Sequence, residues 1–296
     1  TGTIVHLLAF DRIPQLDGIR GIAILAVLFF HLTFFGPLPE LARRDTAFKP
    51  LFVALMGGWA GVDLFFVLSG FLITRLLLQA RGAPGYFRNF YVRRVLRIFP
   101  AYYFALAVYF LLPLPTSLRL DRVDLGSAPW LFAYVSNWRI AQEGWDSITL
   151  SLQHFWSLAI EEQFYLVWPL LIWALNRKRA LWLCALMIVG SLALRVALVS
   201  AGQPVAAYAL TPARLDGLGA GGLLALLHER GQVPNARLRL AGYVLGGLGV
   251  AFVVAKTGLF YFEERHWAPS IGILVVCLLG FTFLSSALSD DRTSLL

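Results

Sequence analysis

The chain has 296 residues, of which 58% are hydrophobic and only 14% are charged, and it carries a formal net charge of +8 with a mean hydropathy of +0.71. Soluble domains contain about 45–50% apolar residues, so this composition excludes a soluble globular protein and predicts a membrane protein. The apolar segments lack the roughly 10-residue alternating pattern of an outer-membrane barrel, so the predicted fold is all-α, a polytopic helical bundle.

Eight apolar segments are predicted to span the membrane: 16–36, 51–79, 99–115, 154–175, 181–200, 206–228, 238–256 and 268–289. The third is short and bounded by prolines, and 130–138 is interpreted as an interfacial or re-entrant piece. More Lys and Arg residues lie on the side of the N-terminus than on the other, so the positive-inside rule places the N-terminus in the cytoplasm. Most charged residues lie between the apolar segments, as expected for the loops of a membrane protein, so the net positive charge does not indicate binding of nucleic acid.

The first span holds two ionisable side chains within its apolar run, Arg20 and His31. They are eleven residues apart, almost three helical turns, so they share one helix face at a separation of roughly 16 Å. With Arg20 at the membrane surface, His31 lies near the midplane, where an imidazole is costly and can exchange a proton near neutral pH. The alternative is a histidine that only hydrogen-bonds a neighbouring helix.

The second span carries Asp63, inside the membrane or at its outer interface. After it, the block RNFYVRRVLR (88–97) alternates arginines with apolar and aromatic residues. This pattern fits an amphipathic helix lying on anionic lipid, which the residues alone favour. It also fits a cytoplasmic cradle for a phosphorylated cosubstrate, because arginine binds phosphate through two parallel hydrogen bonds.

The fourth span contains two adjacent carboxylates, Glu161 and Glu162. His154 and Glu161 are seven residues apart and therefore lie on the same face of the helix. Carboxylates within an apolar helix are costly unless they are paired, protonated or in a wet cavity. A structural ion pair with an intramembrane arginine, Arg195 or Arg214, therefore stands beside a catalytic role.

The sixth predicted span contains Arg214 and Asp216 in TPARLDGLGAGG (211–222), whose glycines permit close approach of another helix or a ligand. Cys184 and Cys277 both lie inside apolar segments, so neither a disulfide nor a metal site is predicted. One histidine with several carboxylates and arginines in a helical bundle fits a proton-coupled transporter as well as a membrane enzyme whose histidine is a general base.

Four longer stretches separate these alternatives: LDGIRGIAILAVLFFH (16–31), GVDLFFVLSGFLIT (61–74), FYVRRVLRIFPAYY (90–103) and HFWSLAIEEQFYLVWP (154–169). In this order they resemble the acyltransferase-3 family, membrane-bound acyl-CoA-dependent O-acyltransferases that modify bacterial polysaccharides, lipopolysaccharide, peptidoglycan, macrolides and similar acceptors. The segment from Arg214 to Asp216 is a weaker match. The resemblance covers 16–222.

The resemblance implies that His31 is the catalytic base, and that Arg20 positions the donor or stabilises charge. It also implies functional roles for Glu161 and Glu162, which we place with the catalytic residues. Three arginines are implied to receive the phosphates of coenzyme A on the cytoplasmic side: Arg93, Arg94 and Arg97. Four residues are expected to bind substrate or brace its cavity: Asp63, His154, Arg214 and Asp216.

The expected protein is thus a single transmembrane acyltransferase domain, 1–296, in the bacterial inner membrane. Its donor is acyl-CoA, with acetyl-CoA preferred, and no permanently bound cofactor or metal is expected. Its acceptor is a saccharide, a lipid-linked glycan or a glycosylated natural product. Family members usually continue into two further helices where this chain ends in SSALSDDRTSLL (285–296). The chain is therefore expected to be either a shortened member or a part of a longer protein. The alternative function is a transporter or flippase of a glycan or lipid precursor that transfers no acyl group.

Overall fold

The structure, a computed structural model, describes residues 13–35, 38–112, 124–257 and 268–293. These residues form α-helices and short 3-10 or π turns and contain no β-strand, which confirms the all-α prediction. The α-helices are α1 Pro14–Phe35, α2 Leu38–Arg44, α3 Lys49–Met56, α4 Ala60–Gln79, α5 Tyr86–Leu111, α6 Ala128–Phe132, α7 Ser136–Glu143, α8 Phe155–Ala174, α9 Arg177–Ser200, α10 Pro204–Ala209, α11 Thr211–His228, α12 Ala236–Thr257 and α13 Ile273–Thr293.

Six segments of the described chain are long and apolar enough to cross a membrane, whereas the sequence predicts eight. They are Pro14–Thr33, Thr46–Gln79, Tyr86–Leu111, Arg177–Ser200, Ala236–Val253 and Ser270–Ser289. The two predicted spans that do not qualify correspond to α8 and α11. Their polar side chains lower the mean hydropathy of both helices. The predicted number of spans, eight, is therefore corrected to six for the described residues.

The long helices present large apolar side chains outward. On α1 the side chains of Leu25 and Leu32 are about half exposed, and on α9 Trp182 is 69% and Leu186 is 65% exposed. Such surfaces are unfavourable in water, and they match a lipid environment. The chain is therefore a multi-pass membrane protein.

The third predicted span differs most from the structure. Helix α5 begins at Tyr86, not at residue 99, so the arginine block lies within the same helix as the apolar segment that follows it. Pro100 lies inside this helix without ending it. A proline removes one backbone hydrogen bond, and the helix continues when its other contacts outweigh that loss. The predicted end of the span, 113–115, lies outside the described residues.

Two other predicted spans are divided. Residues 57–59 form a 3-10 turn between α3 and α4, within the predicted span 51–79. Leu210 takes an extended conformation with ψ of 135°, which separates α10 from α11 within the predicted span 206–228. Both α10 and α11 begin with a proline in the first turn, where its missing N–H costs nothing. The stretch 130–138 belongs to α6 and α7 and the turn between them.

The chain divides into two compact units. Unit 1 comprises residues 1–76 and 216–296, and unit 2 comprises residues 77–215. The borders fall within α4 and within α11. Unit 1 therefore consists of two separate stretches of chain, and unit 2 is continuous. The single-domain interpretation stays a prediction.

Within unit 1, α4 and α11 approach each other through glycines. A Cβ atom added at Gly70 would overlap the carbonyl oxygen of Leu218, and one added at Gly221 would overlap the carbonyl oxygen of Val67. Backbones of membrane helices come this close only where the facing residue has no side chain. The two glycines thus fix the distance between α4 and α11.

We expect Gly221→Leu to lower the free energy of unfolding by about 1–3 kcal/mol, because overpacking forces the backbones of α4 and α11 apart. The matched control is Gly247→Leu on α12, where an added Cβ meets no atom within 4 Å. The measurement is the melting temperature of both purified variants in the same detergent. Equal melting temperatures for the two would contradict the close crossing.

Candidate functional site

The imidazole of His31 is held by its own helix. Its Nδ1 atom lies 2.7 Å from the carbonyl oxygen of Val27, one turn earlier in α1. A carbonyl oxygen only accepts hydrogen bonds, so Nδ1 donates, and in the neutral ring Nε2 carries the lone pair. The ring is therefore oriented as a general base requires, with the basic nitrogen pointing away from its own backbone.

The helical turn that carries Val27 is packed against glycines. A Cβ atom added at Gly61 would lie 2.7 Å from the carbonyl oxygen of Ala23 and 2.9 Å from Cγ2 of Val27. One added at Gly58 would overlap the carbonyl oxygen of Ala26. The backbone that orients His31 is thereby fixed against residues 58–61. The sequence matched Gly61 to a motif without predicting this contact.

Arg20 lies on the same helix, but the structure does not bring it to His31. Its Nη1 atom donates a hydrogen bond of 3.2 Å to Oδ1 of Asp17, and the two side chains are 34% and 38% exposed. Eleven residues of helix separate it from His31 by roughly 16 Å. The continuous helix under both residues is confirmed, whereas a role of Arg20 in catalysis stays a prediction.

Asp63 and Asp216 are both 1% exposed and lie on the facing helices of unit 1. Cys277 of α13 connects their surroundings, since its Sγ atom is 4.0 Å from Oδ1 of Asp63. A Cβ atom at Gly217, the residue after Asp216, would lie 3.6 Å from the same sulfur. The structure therefore brings together the segments of these two predicted substrate-binding residues.

In unit 2, one of the three predicted coenzyme A arginines faces inward. The guanidinium carbon of Arg94 lies 4.9 Å from the centroid of the Tyr165 ring, a cation–π contact. Its charge also interacts with Glu161 and Glu162. The neighbouring Arg93 and Arg97 are exposed. Arg94 therefore contacts the interior of unit 2, whereas Arg93 and Arg97 lie on its surface.

Arg195 and Arg214, the arginines considered as partners for the glutamates, are both fully buried. Arg195 donates a hydrogen bond to the carbonyl oxygen of Ala213. Arg214 lies over the rings of Tyr208 and Trp156, with 4.8 and 5.6 Å to the centroids. These contacts fix the first turn of α11 to α9 and α10. The partners considered for the glutamates therefore include Arg94 as well, because its charge interacts with both carboxylates.

His154 stands immediately before α8 and its ring lies 4.4 Å from that of Phe155. Its side chain is exposed, and Glu161 follows two turns later in α8. The shared helix face predicted for His154 and Glu161 therefore leads from an exposed end of the helix to the carboxylate pair.

Two polar atoms in this part of unit 2 are buried without a hydrogen-bond partner in the described part of the chain. One is Oε1 of Glu162, and the other is the hydroxyl of Tyr134. Tyr134 has a φ of 54°, a left-handed conformation rarely adopted by a bulky residue, and its ring stacks on Tyr102 with 4.2 Å between centroids. A strained aromatic beside an unsatisfied carboxylate is typical of a functional site. No pattern in the sequence indicated a role for Tyr134.

The turn that carries Tyr134 is tied to α8 by Gln163, the residue after the two glutamates. The Nε2 atom of Gln163 donates to the carbonyl oxygen of Tyr134 (2.8 Å) and to Oδ1 of Asn137 (2.9 Å). Its Oε1 atom accepts from Thr211 and from Nε1 of Trp138 (3.2 Å). One side chain thus joins α7, α8 and α11. A glutamine directly after two glutamates in an apolar helix is the sequence signal that could have found it.

We expect Gln163→Leu to destabilise the protein by about 1–3 kcal/mol for each buried group that it leaves unsatisfied. Asn137, which is fully buried, is the first of these groups. The control is Gln79→Leu, an exposed glutamine at the end of α4. Melting temperatures in detergent measure both changes. A Gln163→Leu protein as stable as the control would show that the network adds nothing to stability.

Comparison of the chain with known proteins identifies a family model and several relatives that match it. A family model described as an acyltransferase domain matches residues 13–296. The chain is 30% identical over 290 residues to the peptidoglycan O-acetyltransferase OatA of Listeria monocytogenes, covering 93% of the chain and 44% of that protein. It is 34% identical over 242 residues to the putative peptidoglycan O-acetyltransferase YrhL of Bacillus subtilis, covering 76% of the chain and 35% of that protein.

A putative O-acetyltransferase of Staphylococcus aureus strain COL is 29% identical over 299 residues, covering 93% of the chain and 45% of that protein. The chain therefore spans less than half the length of these curated relatives. No solved structure matches it.

Proposed function

Because the chain belongs to the acyltransferase-3 family, we propose that it is an integral membrane O-acetyltransferase of the bacterial cytoplasmic membrane. Its donor is acetyl-CoA, and its acceptor is a hydroxyl group of a peptidoglycan-type saccharide. The names of two relatives, one a peptidoglycan O-acetyltransferase and the other a putative peptidoglycan O-acetyltransferase, support this acceptor. The observation that carries the proposal is the His31 ring, whose Nδ1 is occupied by the Val27 carbonyl on a membrane-spanning helix.

The proposed reaction uses Nε2 of His31 as a general base. It removes the proton of the saccharide hydroxyl while the hydroxyl oxygen attacks the thioester carbonyl of acetyl-CoA. A new carbon–oxygen bond forms, the carbon–sulfur bond breaks, and the thiolate leaves with the proton returned by His31. The products are an acetyl ester and coenzyme A. The Nδ1 hydrogen bond to Val27 favours the tautomer that this step needs.

The donor is assigned to the basic end of unit 2. Arg88, Arg93 and Arg97 on α5 are exposed there, and the first turn of α9 adds further basic residues. Coenzyme A carries several phosphate charges, which arginine binds strongly. The positive-inside rule assigns this end to the cytoplasm, where acetyl-CoA is made.

Arg94 and the glutamates are assigned to the substrate rather than to coenzyme A. Arg94 faces inward over Tyr165 and interacts with both carboxylates. The unpartnered Oε1 of Glu162 is able to accept a hydrogen bond from a sugar hydroxyl. In this assignment the positive charge of Arg94 offsets part of the effect of burial and of Glu161, which together raise the pKa of Glu162 to about 7.

The proposal is tested with purified protein in liposomes, acetyl-CoA carrying a radioactive acetyl group, and the trimer of N-acetylglucosamine as acceptor. The expected result is release of coenzyme A together with an alkali-labile acetyl ester on the trimer. Accumulation of the trimer inside the vesicles with no release of coenzyme A would overturn the proposal and favour a transporter. Liposomes without protein give the background rate.

A further inference from the structure

A cavity of about 540 Å³ lies within unit 2, between the second half of α7 and the turn that joins α9 to α10. Its volume falls in the range of roughly 300–1,000 Å³ typical of ligand pockets. Gly144 and Gly202 form part of its wall, with φ values of 90° and 75°. Positive φ values are readily adopted by glycine, and the missing side chains leave the backbone accessible to a ligand.

The lining of the cavity is uncharged and mostly apolar, with one aromatic ring and two glutamine side chains. None of the described residues that line it is ionisable. Trp138 is 39% exposed, and the amides of Gln142 and Gln203 are exposed without a hydrogen-bond partner in the described part of the chain. A polyanion such as acetyl-CoA finds no cation here. A neutral ligand with many hydroxyl groups fits, because an indole ring packs against apolar C–H groups while amides donate and accept hydrogen bonds.

The tryptophan is held in place before any ligand binds. Its Nε1 atom donates to Oε1 of Gln163 at 3.2 Å, and the preceding residue, Asn137, is fully buried and bonded to Gln163 and to the Ala209 carbonyl. A ring that is already ordered loses little conformational freedom on binding. The same glutamine follows Glu162 in α8, so one side chain connects the cavity wall to the carboxylate pair.

The cavity lies toward the end of unit 2 opposite its basic end. Arg81 donates to the carbonyl oxygens of Trp173 and Leu175 at the end of α8, whereas Gln163, in its first half, contacts the cavity wall. At the cavity end Arg139 is paired with Asp124 and Glu143, so little net positive charge remains. By the positive-inside rule the cavity opens toward the outer face, where saccharides of the cell wall are found.

We propose that this cavity binds the saccharide acceptor, with the Trp138 ring stacked on the apolar face of a sugar and the amides of Gln142 and Gln203 bonded to its hydroxyl or N-acetyl groups. This inference rests on the proposed acetyl transfer, and it names the site of the acceptor. It adds a binding residue, Trp138, that touches the sugar and not the reacting thioester.

The test is direct binding of the N-acetylglucosamine trimer, measured by calorimetry on the full chain in lipid nanodiscs without acetyl-CoA. We expect Trp138→Ala to weaken binding about tenfold or more and Trp138→Phe to weaken it less, because a smaller ring still stacks. Gln203→Ala, which removes no hydrogen bond of the described residues, is expected to weaken binding several-fold. The control is Trp182→Ala, a lipid-facing tryptophan that is 69% exposed.

Three outcomes decide between the alternatives. If Trp138→Ala and Gln203→Ala left the dissociation constant of the trimer unchanged, the proposal that the cavity binds the acceptor would be overturned. Trp138 would then be assigned to anchoring at the membrane interface. If Trp138→Ala instead weakened the binding of acetyl-CoA, the cavity would be assigned to the donor, and the proposal that it binds the acceptor would be overturned as well. Trimer binding that depends on Trp138 in a protein that transfers no acetyl group would support the cavity and overturn the proposed function instead.

Discussion

Replacing His31 with alanine is expected to lower the rate of acetyl transfer by about 10²–10⁴-fold, the usual contribution of a general base. The reason is that the lone pair on Nε2, fixed by the bond from Nδ1 to the Val27 carbonyl, is removed from the reaction. Substrate binding is not expected to change to the same degree, because the imidazole accepts the proton in the transition state rather than holding the bound substrate. The measurement is kcat and KM for both substrates with the protein in liposomes.

The control for this experiment is His228→Ala. His228 lies in the last turn of α11, where its ring packs edge-on against Phe71 at 5.8 Å between centroids. The substitution removes an imidazole from α11 and leaves the sequence of α1 unchanged, so transfer is expected to continue near the parental rate. A His31→Ala protein as active as the His228→Ala protein would exclude His31 as the base, whatever its contribution to packing.

Replacing Arg94 with glutamine is expected to impair both stability and transfer. The charge of the Arg94 guanidinium interacts with Glu161 and Glu162, and one carboxylate oxygen of Glu162 is buried without a hydrogen-bond partner among the described residues. Removing one partner of a buried charge cluster costs about 3–5 kcal/mol, and the half-buried position of Arg94 favours the lower end. We expect a fall in melting temperature and at least a tenfold loss of kcat.

Arg88→Gln is the matched control, since Arg88 lies on the same helix and is exposed. It is expected to leave the melting temperature unchanged, because exposed charges contribute little to stability. Comparable melting temperatures for the Arg94 and Arg88 variants would contradict the charge cluster. A third variant, Glu162→Gln in the Arg94→Gln background, should recover part of the lost stability, because it removes the repulsion between two adjacent carboxylates that the charge of Arg94 no longer offsets.

The membrane location, the helical class and the first span followed from apolar length and composition, which are local properties of the sequence. The course of α5 did not, because Pro100 and the arginine block indicated a boundary that tertiary contacts override. Tyr91, in the middle of that block, donates a 2.8 Å hydrogen bond to the Leu166 carbonyl of α8. Such a contact joins residues far apart in the chain and leaves no periodic signal.

The candidate site shows the same limit. His31, Glu161 and Glu162 were found because ionisable groups are conspicuous in apolar helices. The inward orientation of Arg94, as opposed to Arg93, depends on one helical position relative to α8, which the sequence alone does not define. Gln163 and Trp138 were overlooked as well, because neutral polar and aromatic residues are common at membrane interfaces and their hydrogen bonds form only in the folded chain.

The split of unit 1 along the chain has a consequence for how the protein is made. The glycines that bring α4 and α11 together, Gly70 and Gly221, are separated by all of unit 2. As the ribosome delivers the chain, α1 to α4 enter the membrane long before α11 exists. During that interval the surface around Gly70 lacks its native neighbour and is open to a chaperone, an insertase or a wrong helix. Unit 2 is continuous and is free to assemble first, whereas unit 1 is completed only after α11 has been made.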